Sequence, residues 1–453
     1  MKKNAKEILC DIFAIITGAL LMGFLWRVRG ESGWGSSWGL LNAGFVFTMF
    51  IIAAKGSRKK MDTGWLALTS LSFMLTTPAW GTILNQITGV LQKADASVPG
   101  SETVYVSVSS AVILMLCLGF GLASLFGVML GRGFSDKQWK IKDFIIVLAV
   151  FFISDLIAKA SVAHFILDLI QPQAAELFEK GLAAADVEGS AYSVYMQHFN
   201  NISWAKKLDG GRNYFSSVQT IASAFRAVCS LIAVRFIVKD KISAKTGAIV
   251  CSAFAFAITF ADLFFYFGNG GYHMENASPF PASIYPWGCW EYFTGFIAGG
   301  IITAYLIKLR KTENVPEITF AKVPAKAENI LGFVLFSLFM IGVNIVRPVL
   351  VRYEESDFMI TATIIAVLFA VAVVVLMTLK WGINAKNITD RSLYGVLFTF
   401  FTAYILIIYM FVGIPEKQNY TELSALTSIM CIISAVVIFI WSALHVRVNK
   451  AEK

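Results

Sequence analysis

A chain of 453 residues that is 57% hydrophobic and only 15% charged, with a mean hydropathy of +0.68, lies outside the range of water-soluble globular proteins. It reads as an all-α, polytopic integral membrane protein, because lipid offers no partner to unpaired backbone groups and the short alternating segments of a membrane barrel are absent. The formal net charge of +9 is distributed as membrane topology requires, so no nucleic-acid partner is expected.

Apolar runs of about 18 residues or more, enough for a helix to cross roughly 30 Å of hydrocarbon, recur along the whole chain. Twelve spans are predicted, over 8–26, 38–54, 65–91, 104–131, 143–170, 215–238, 246–267, 290–309, 328–351, 358–380, 391–413 and 423–446. The first run begins like a secretory leader, but Phe24, Leu25, Trp26 and Arg27 stand where the small residues of a cleavage site belong. It is therefore expected to remain as a span.

Between spans 1 and 2 the stretch WRVRGESGWGSSWG gathers Arg27, Arg29, Glu31, Trp34 and Trp38 around Gly30, Gly33, Gly35 and Gly39. In span 3, Thr76, Thr77, Asn85 and Gln86 flank a break at Pro78. Span 5 carries Asp155 and Lys159 at i and i+4, a favourable pairing order on one helix, and then His164 and Asp168 with the same spacing. At 100° per residue the second pair points about 140° or more away from the first and is expected to meet a different neighbour. His164 titrates near neutral pH when unperturbed, so it can couple a site to protons; a satisfied interface histidine is the simpler reading.

The outer loop 171–213 contains two amphipathic stretches, the second with Tyr192, Tyr195, Met196 and Phe199 on one side. Helices lying flat on the headgroups are expected there, rather than a lid. Span 6 places Arg226, and span 7 places Asp262, within the hydrocarbon. A GNGG turn then leads to Tyr272, His273 and Glu275, while Trp287, Trp290 and Glu291 open span 8, and Asn344 and Arg347 fall late in span 9.

The segment 310–327, containing Pro316 and Pro324, reads as a cytoplasmic linker between spans 1–8 (residues 1–309) and spans 9–12 (residues 328–453) of one membrane domain. A candidate repeat also divides the chain roughly into 1–240 and 241–453. Trp34, Trp38 and Gly44 before and in span 2 match Trp287, Trp290 and Gly295 at span 8.

Counting Lys and Arg between the spans sets the orientation. The set of segments that includes both termini carries 26 basic and 11 acidic residues, and the opposite set carries 10 and 16. The positive-inside rule then puts both termini in the cytoplasm. Composition and short loops point to the cell membrane of a bacterium. Cys10, Cys117, Cys229, Cys251, Cys289 and Cys431 include no Cys-x-x-Cys spacing, and the four histidines are scattered, so neither disulfides, a metal site nor a cofactor is expected.

Each ionisable group within the hydrocarbon costs roughly 2.5 to 3.5 kcal/mol on insertion scales, so it needs a partner or water. Polar groups crowd the outer halves of the spans, and arginines beside tryptophans and carboxylates suit a polar organic ligand. The expected ligand-binding set is Arg27, Arg29, Glu31, Trp34, Trp38, Asp262, Trp287, Trp290, Glu291 and Arg347, with Asp155 and Lys159 as an intramembrane pair and Arg226, His164 and Asp168 as further polar groups. A belt of tryptophans with snorkelling arginines is the simpler alternative, but it leaves Glu31, Glu275 and Glu291 unexplained.

The sequence thus predicts a transporter of a small polar organic solute such as a sugar, an amino acid or another carboxylate. The alternatives are an outer-face transferase acting on a lipid-linked sugar or acyl donor, with Glu31, His273, Glu275 and Glu291 as acid or base, and a non-catalytic scaffold. No phosphate-binding glycine loop, metalloprotease helix or nucleophile elbow is present. The loop after span 2 also lacks the Asp-Arg and Arg-Arg pattern typical there of the major facilitator family.

Overall fold

The computed structural model describes residues 5–29, 35–55, 63–76, 83–84, 86–92, 104–137, 139–267, 286–309 and 425–451, and the protein is mostly helical. Helix α1 spans Ala5–Val28, α2 Gly35–Lys55 and α3 Thr63–Leu75. A 3-10 turn at Gln86–Thr88 leads into strand β1, Val90–Gln92, which pairs antiparallel with β2, Val104–Tyr105. Helices α4 (Val108–Leu122) and α5 (Ser124–Arg132) come next as one rod interrupted at Ala123.

Beyond them, α6 (Ile141–Ile157) passes through a π-helical turn at Ala158–Val162 into α7 (Ala163–Ile170). Three short helices cover the connection: α8 (Gln173–Ala184), α9 (Ala191–Gln197) and α10 (Ile202–Ala205). Helix α11 (Gly211–Ile232) ends in a second π turn at Ala233–Ile237. The order closes with α12 (Lys241–Ala261), α13 (Leu263–Phe267), α14 (Pro286–Lys308) and α15 (Ala425–Ala451).

Among the described residues, five helical stretches are long and apolar enough to cross a membrane: Glu7–Val28, Val108–Arg132, Ile141–Ile170, Gly211–Ile237 and Lys241–Tyr266. Their outward faces are apolar. Only 33% of the most apolar window of Ile141–Ile170 is buried, and Ile145, Phe152, Ile153 and Leu156 all point out of the bundle. Exposing each such side chain to water would forgo about 1.5 to 3 kcal/mol, and the surface is consistent with a membrane-embedded protein.

Span 3 does not run unbroken from 65 to 91. Helix α3 stops at Leu75, and the chain re-forms as the 3-10 turn and β1. The residue before a proline disfavours helical backbone, which ends a helix ahead of Thr77–Pro78. Gly89 then adopts a positive φ of +81°, a conformation open to glycine, to enter the strand. The small β1–β2 ladder also qualifies the all-α expectation. The linker 310–327 and the predicted spans 328–351, 358–380 and 391–413 lie outside the described residues.

Two features hold the bundle together. Helices α1 and α14 pack antiparallel and so closely that a Cβ added at Gly299 would lie 2.6 Å from the Gly18 carbonyl oxygen. Such small-residue seams let backbones approach where lipid supplies no hydrophobic drive between helices. At the centre, Phe73 stacks on Phe126 at 4.1 Å, and Trp26 meets Phe254 at 5.1 Å and Phe73 at 6.1 Å, joining α1, α3, α5 and α12.

The helices over 171–213, expected to lie flat on headgroups, turn apolar faces into the bundle instead. Leu177, Phe178, Leu182, Val194 and Tyr195 are buried against α7 and α11, because the bundle itself supplies an apolar surface for their faces. Tyr192 and Met196 remain partly exposed.

At the start of α12, Asp240 caps the helix and gathers neighbouring turns. Its Oδ1 accepts from Ser135 Oγ at 2.8 Å and Ser243 N at 2.9 Å, and its Oδ2 accepts from Trp139 Nε1 at 2.8 Å and Ser243 Oγ at 2.6 Å. Asp240→Ala removes a helix cap, worth about 1 kcal/mol, and leaves buried donors unsatisfied at about 1 to 3 kcal/mol. The unfolding midpoint in detergent is expected to fall accordingly, and an unchanged midpoint would show that the contacts are dispensable.

Candidate functional site

The last turn of α1 and the first turns of α14 bring one charge cluster together. Arg27 Nη1 donates to Glu291 Oε2 at 2.8 Å, with the two side chains 1% and 6% exposed. Arg29 lies one residue beyond the span, is buried, and places its guanidinium 4.3 Å over the Trp26 ring. Burial pushes Arg29 down to about 10, with Glu291 holding it up and Arg27 pressing it down, so it stays cationic at neutral pH. Trp290, Trp287 and Phe265 form the adjoining wall, with rings 5.3 to 6.2 Å apart. Helix α15 closes the side, where Tyr292 Oη meets Ser434 Oγ at 2.7 Å.

These arginines turn inward instead of snorkelling towards headgroups, which a belt would require. Of the other expected ligand-binding residues, Glu31, Trp34 and Arg347, together with His273 and Glu275, lie outside the described residues. Trp38 stands in α2, but its side chain is likewise outside them. Trp26 joins the cluster without having been expected there; an indole one residue before Arg27 is its only mark in the sequence.

The second cluster is centred on Asp155. Lys159 Nζ reaches its Oδ2 at 2.7 Å and Arg226 Nη1 reaches its Oδ1 at 3.0 Å. Arg226 Nη2 donates to the Thr76 carbonyl at 3.0 Å, and its guanidinium lies 4.5 Å over the Phe151 ring. All three charged residues are buried. The sequence pairing of Asp155 with Lys159 is therefore a triad, completed from α11.

The π turn redirects the helix beyond it. His164 Nε2 lies 2.8 Å from the Lys159 carbonyl oxygen, and its Nδ1 lies 2.8 Å from Tyr214 Oη. A carbonyl can only accept, so Nε2 carries a proton and Nδ1 faces the tyrosine hydroxyl. Tyr192 Oη donates to the Ala160 carbonyl at 3.0 Å. Tyr195 is buried with its ring 4.7 Å from His164, and burial, the Asp155 charge and Tyr214 push its phenol above the ordinary range.

The His164 ring thus reaches back to the Lys159 main-chain carbonyl, while the Lys159 side chain turns to Asp155. A π turn absorbs one extra residue and shifts every later face by about 100°. His164 also does not pair with Asp168: both ring nitrogens are engaged elsewhere, and Asp168 is exposed.

Asp262, at the break between α12 and α13, is fully buried. Phe265, one turn on, packs on Trp287 and Trp290. A groove of about 160 Å³ opens elsewhere, lined by Leu71, Leu75, Leu125, Met129 and Phe144 among others; it is apolar, and its Ser72 hydroxyl is bonded to the Thr69 carbonyl at 2.7 Å. It offers nothing to a polar ligand. No group of three or more His, Cys, Asp or Glu residues placed to hold a metal occurs among the described residues.

The fold is that of a helical protein with helices fit to span a membrane. No family model matches the chain, and no match is found among curated proteins or solved structures.

Asp155→Asn strands two buried cations and is expected to cost about 3 to 5 kcal/mol of stability. Adding Lys159→Met is expected to recover part of that, since Arg226 keeps the Thr76 carbonyl and the Phe151 face. Thermal unfolding of the two variants checks this, and equal midpoints would mean that Lys159 and Asp155 are not coupled.

Proposed function

We propose that this chain is a multi-pass transporter in a bacterial inner membrane, with twelve spans and both termini cytoplasmic. It moves a small polar organic solute, a sugar, an amino acid or another carboxylate, bound on the extracytoplasmic side. In this reading the chain is one membrane domain whose halves, roughly 1–240 and 241–453, are joined near 310–327.

The observation that carries the reading is the buried Arg27–Glu291 pair beside Arg29 and a wall of indole rings. A buried ion pair is a weak source of stability, and apolar residues of similar volume often do as well or better. Charges kept in such a place are by default functional. When the pair parts, Arg27 can clamp a carboxylate bidentately and Glu291 can receive an ammonium or hydroxyl donor. A zwitterion offers both complements at once. The close α1–α14 seam supports the sliding of one helix on the other that alternating access requires.

The transferase alternative needs an acid or base at the same mouth. Glu291, the described candidate, is held by Arg27, which favours binding over proton transfer.

Counterflow of labelled amino acids, sugars and dicarboxylates into vesicles holding the purified protein tests the reading. Arg27→Ala and Glu291→Ala are each expected to weaken solute binding by about 10- to 100-fold, the worth of a charge-assisted hydrogen bond, while the protein remains folded. A modified product without uptake would establish the transferase instead. Loss of folded protein in step with activity would make the pair structural.

A further inference from the structure

Asp262 is the predicted intramembrane charge that the two clusters leave out. It is 0% exposed, and neither carboxylate oxygen has a hydrogen-bond or ionic partner among the described residues. Its backbone is fully used: its N–H donates to the Ile258 carbonyl at 3.0 Å, and its carbonyl accepts from Phe265 N at 2.9 Å and Tyr266 N at 3.3 Å. The side chain alone stands without a bond, at the point where α12 gives way to α13.

The carboxylate stands in an apolar interior, and no described cation answers it. On α11, Arg226 is held by Asp155 and Arg212 is exposed. On α14, Glu291 is held by Arg27 and Tyr292 by Ser434, leaving Cys289. The remaining titratable groups nearby are Tyr266 on α13 and Cys117 on α4; the lysines of α12 and α14 lie at the far ends of those helices, with Tyr305.

Thr294 holds another buried oxygen, on the neighbouring helix α14. It is fully buried, and its hydroxyl has no partner among the described residues. It stands one turn from Trp290, which packs on Phe265, and three turns from Tyr305, which meets Thr246 of α12 at 3.4 Å. It therefore lies on the stripe of α14 that faces α12 and α13. A carboxylate buried within a spanning helix is the kind of group that marks ion pathways and proton relays in helical membrane proteins.

We propose that Asp262 is the binding group for a small monovalent cation, a proton or Na+, held at the α12–α13 break. One positive charge neutralises the carboxylate, whereas a divalent ion would leave a net charge in the same apolar place. Cation binding here stands by itself; it rests on the transport reading only in making this ion the one that drives the solute.

The test uses the purified full chain in detergent. Unfolding midpoints are measured across a NaCl series against choline chloride at constant ionic strength and pH, and across a pH series without sodium. In parallel, dicyclohexylcarbodiimide, which adds to protonated carboxyls in apolar surroundings, is mapped by mass spectrometry. The wild-type midpoint is expected to rise with sodium or with falling pH, and Asp262→Asn is expected to lose that response. Labelling at Asp262 is expected to drop when sodium is added or pH is raised.

A sodium response assigns Na+, and a pH response alone assigns the proton. No response in the wild type, or the same response in Asp262→Asn, overturns the proposal. Should Asp262→Asn not fold, the wild-type labelling decides: an adduct protected by sodium or by rising pH upholds the site, and no adduct, or one indifferent to both, overturns it. Cation binding without counterflow would remove the transport reading and leave the site standing.

Discussion

Charge inside this molecule has no solvent, and the rest of the structure is arranged around that lack. Asp155 holds both Lys159 and Arg226, and Arg27 and Glu291 satisfy one another across two helices. Arg29 lies on Trp26, and Arg132 lies over Phe144 at 4.7 Å. Each arrangement substitutes a protein group for water where desolvation costs several kcal/mol per ion. Asp262 departs from this rule: among the described residues its carboxylate has no partner.

The partners are delivered by departures from regular helix. The π turn Ala158–Val162 contains Lys159, and its carbonyls take side-chain donors from His164 and Tyr192. The second π turn, Ala233–Ile237, contains Arg235. Where α12 gives way to α13 at Asp262, by contrast, the backbone bonds run on. π turns and interrupted helices concentrate at functional places because they free or redirect backbone groups that a regular helix would consume. Between them, aromatic packing and the glycine seam of α1 and α14 keep the helices near enough for charged side chains to meet.

Much of the helical plan is legible in the sequence. The predicted runs 8–26, 143–170 and 215–238 correspond to Ala5–Val28, Ile141–Ile170 and Gly211–Ile237, since hydropathy accumulates along one chain segment and needs no knowledge of neighbours. In span 3 the apolar composition outlasts the helix, which stops at Leu75, ahead of the break read at Pro78. Over 171–213, amphipathic spacing shows that a helix has an apolar face, but not whether lipid or protein covers it. Of the sites, the meeting of Arg27 and Arg29 with Glu291, Trp287 and Trp290 was expected, whereas Thr76, Tyr195 and Tyr214 carry no local mark in the sequence of the roles they play.

The sequence by itself determined the solvent and the repeating element: a chain this apolar must bury its backbone in helices, and the positions of its charges along those helices come from counting. Only the tertiary structure decided which charge meets which. A single extra residue in one turn rotates everything beyond it, and the approach of two helices depends on glycines and rings contributed by both, so pairing is a property of the assembled bundle and of no segment within it.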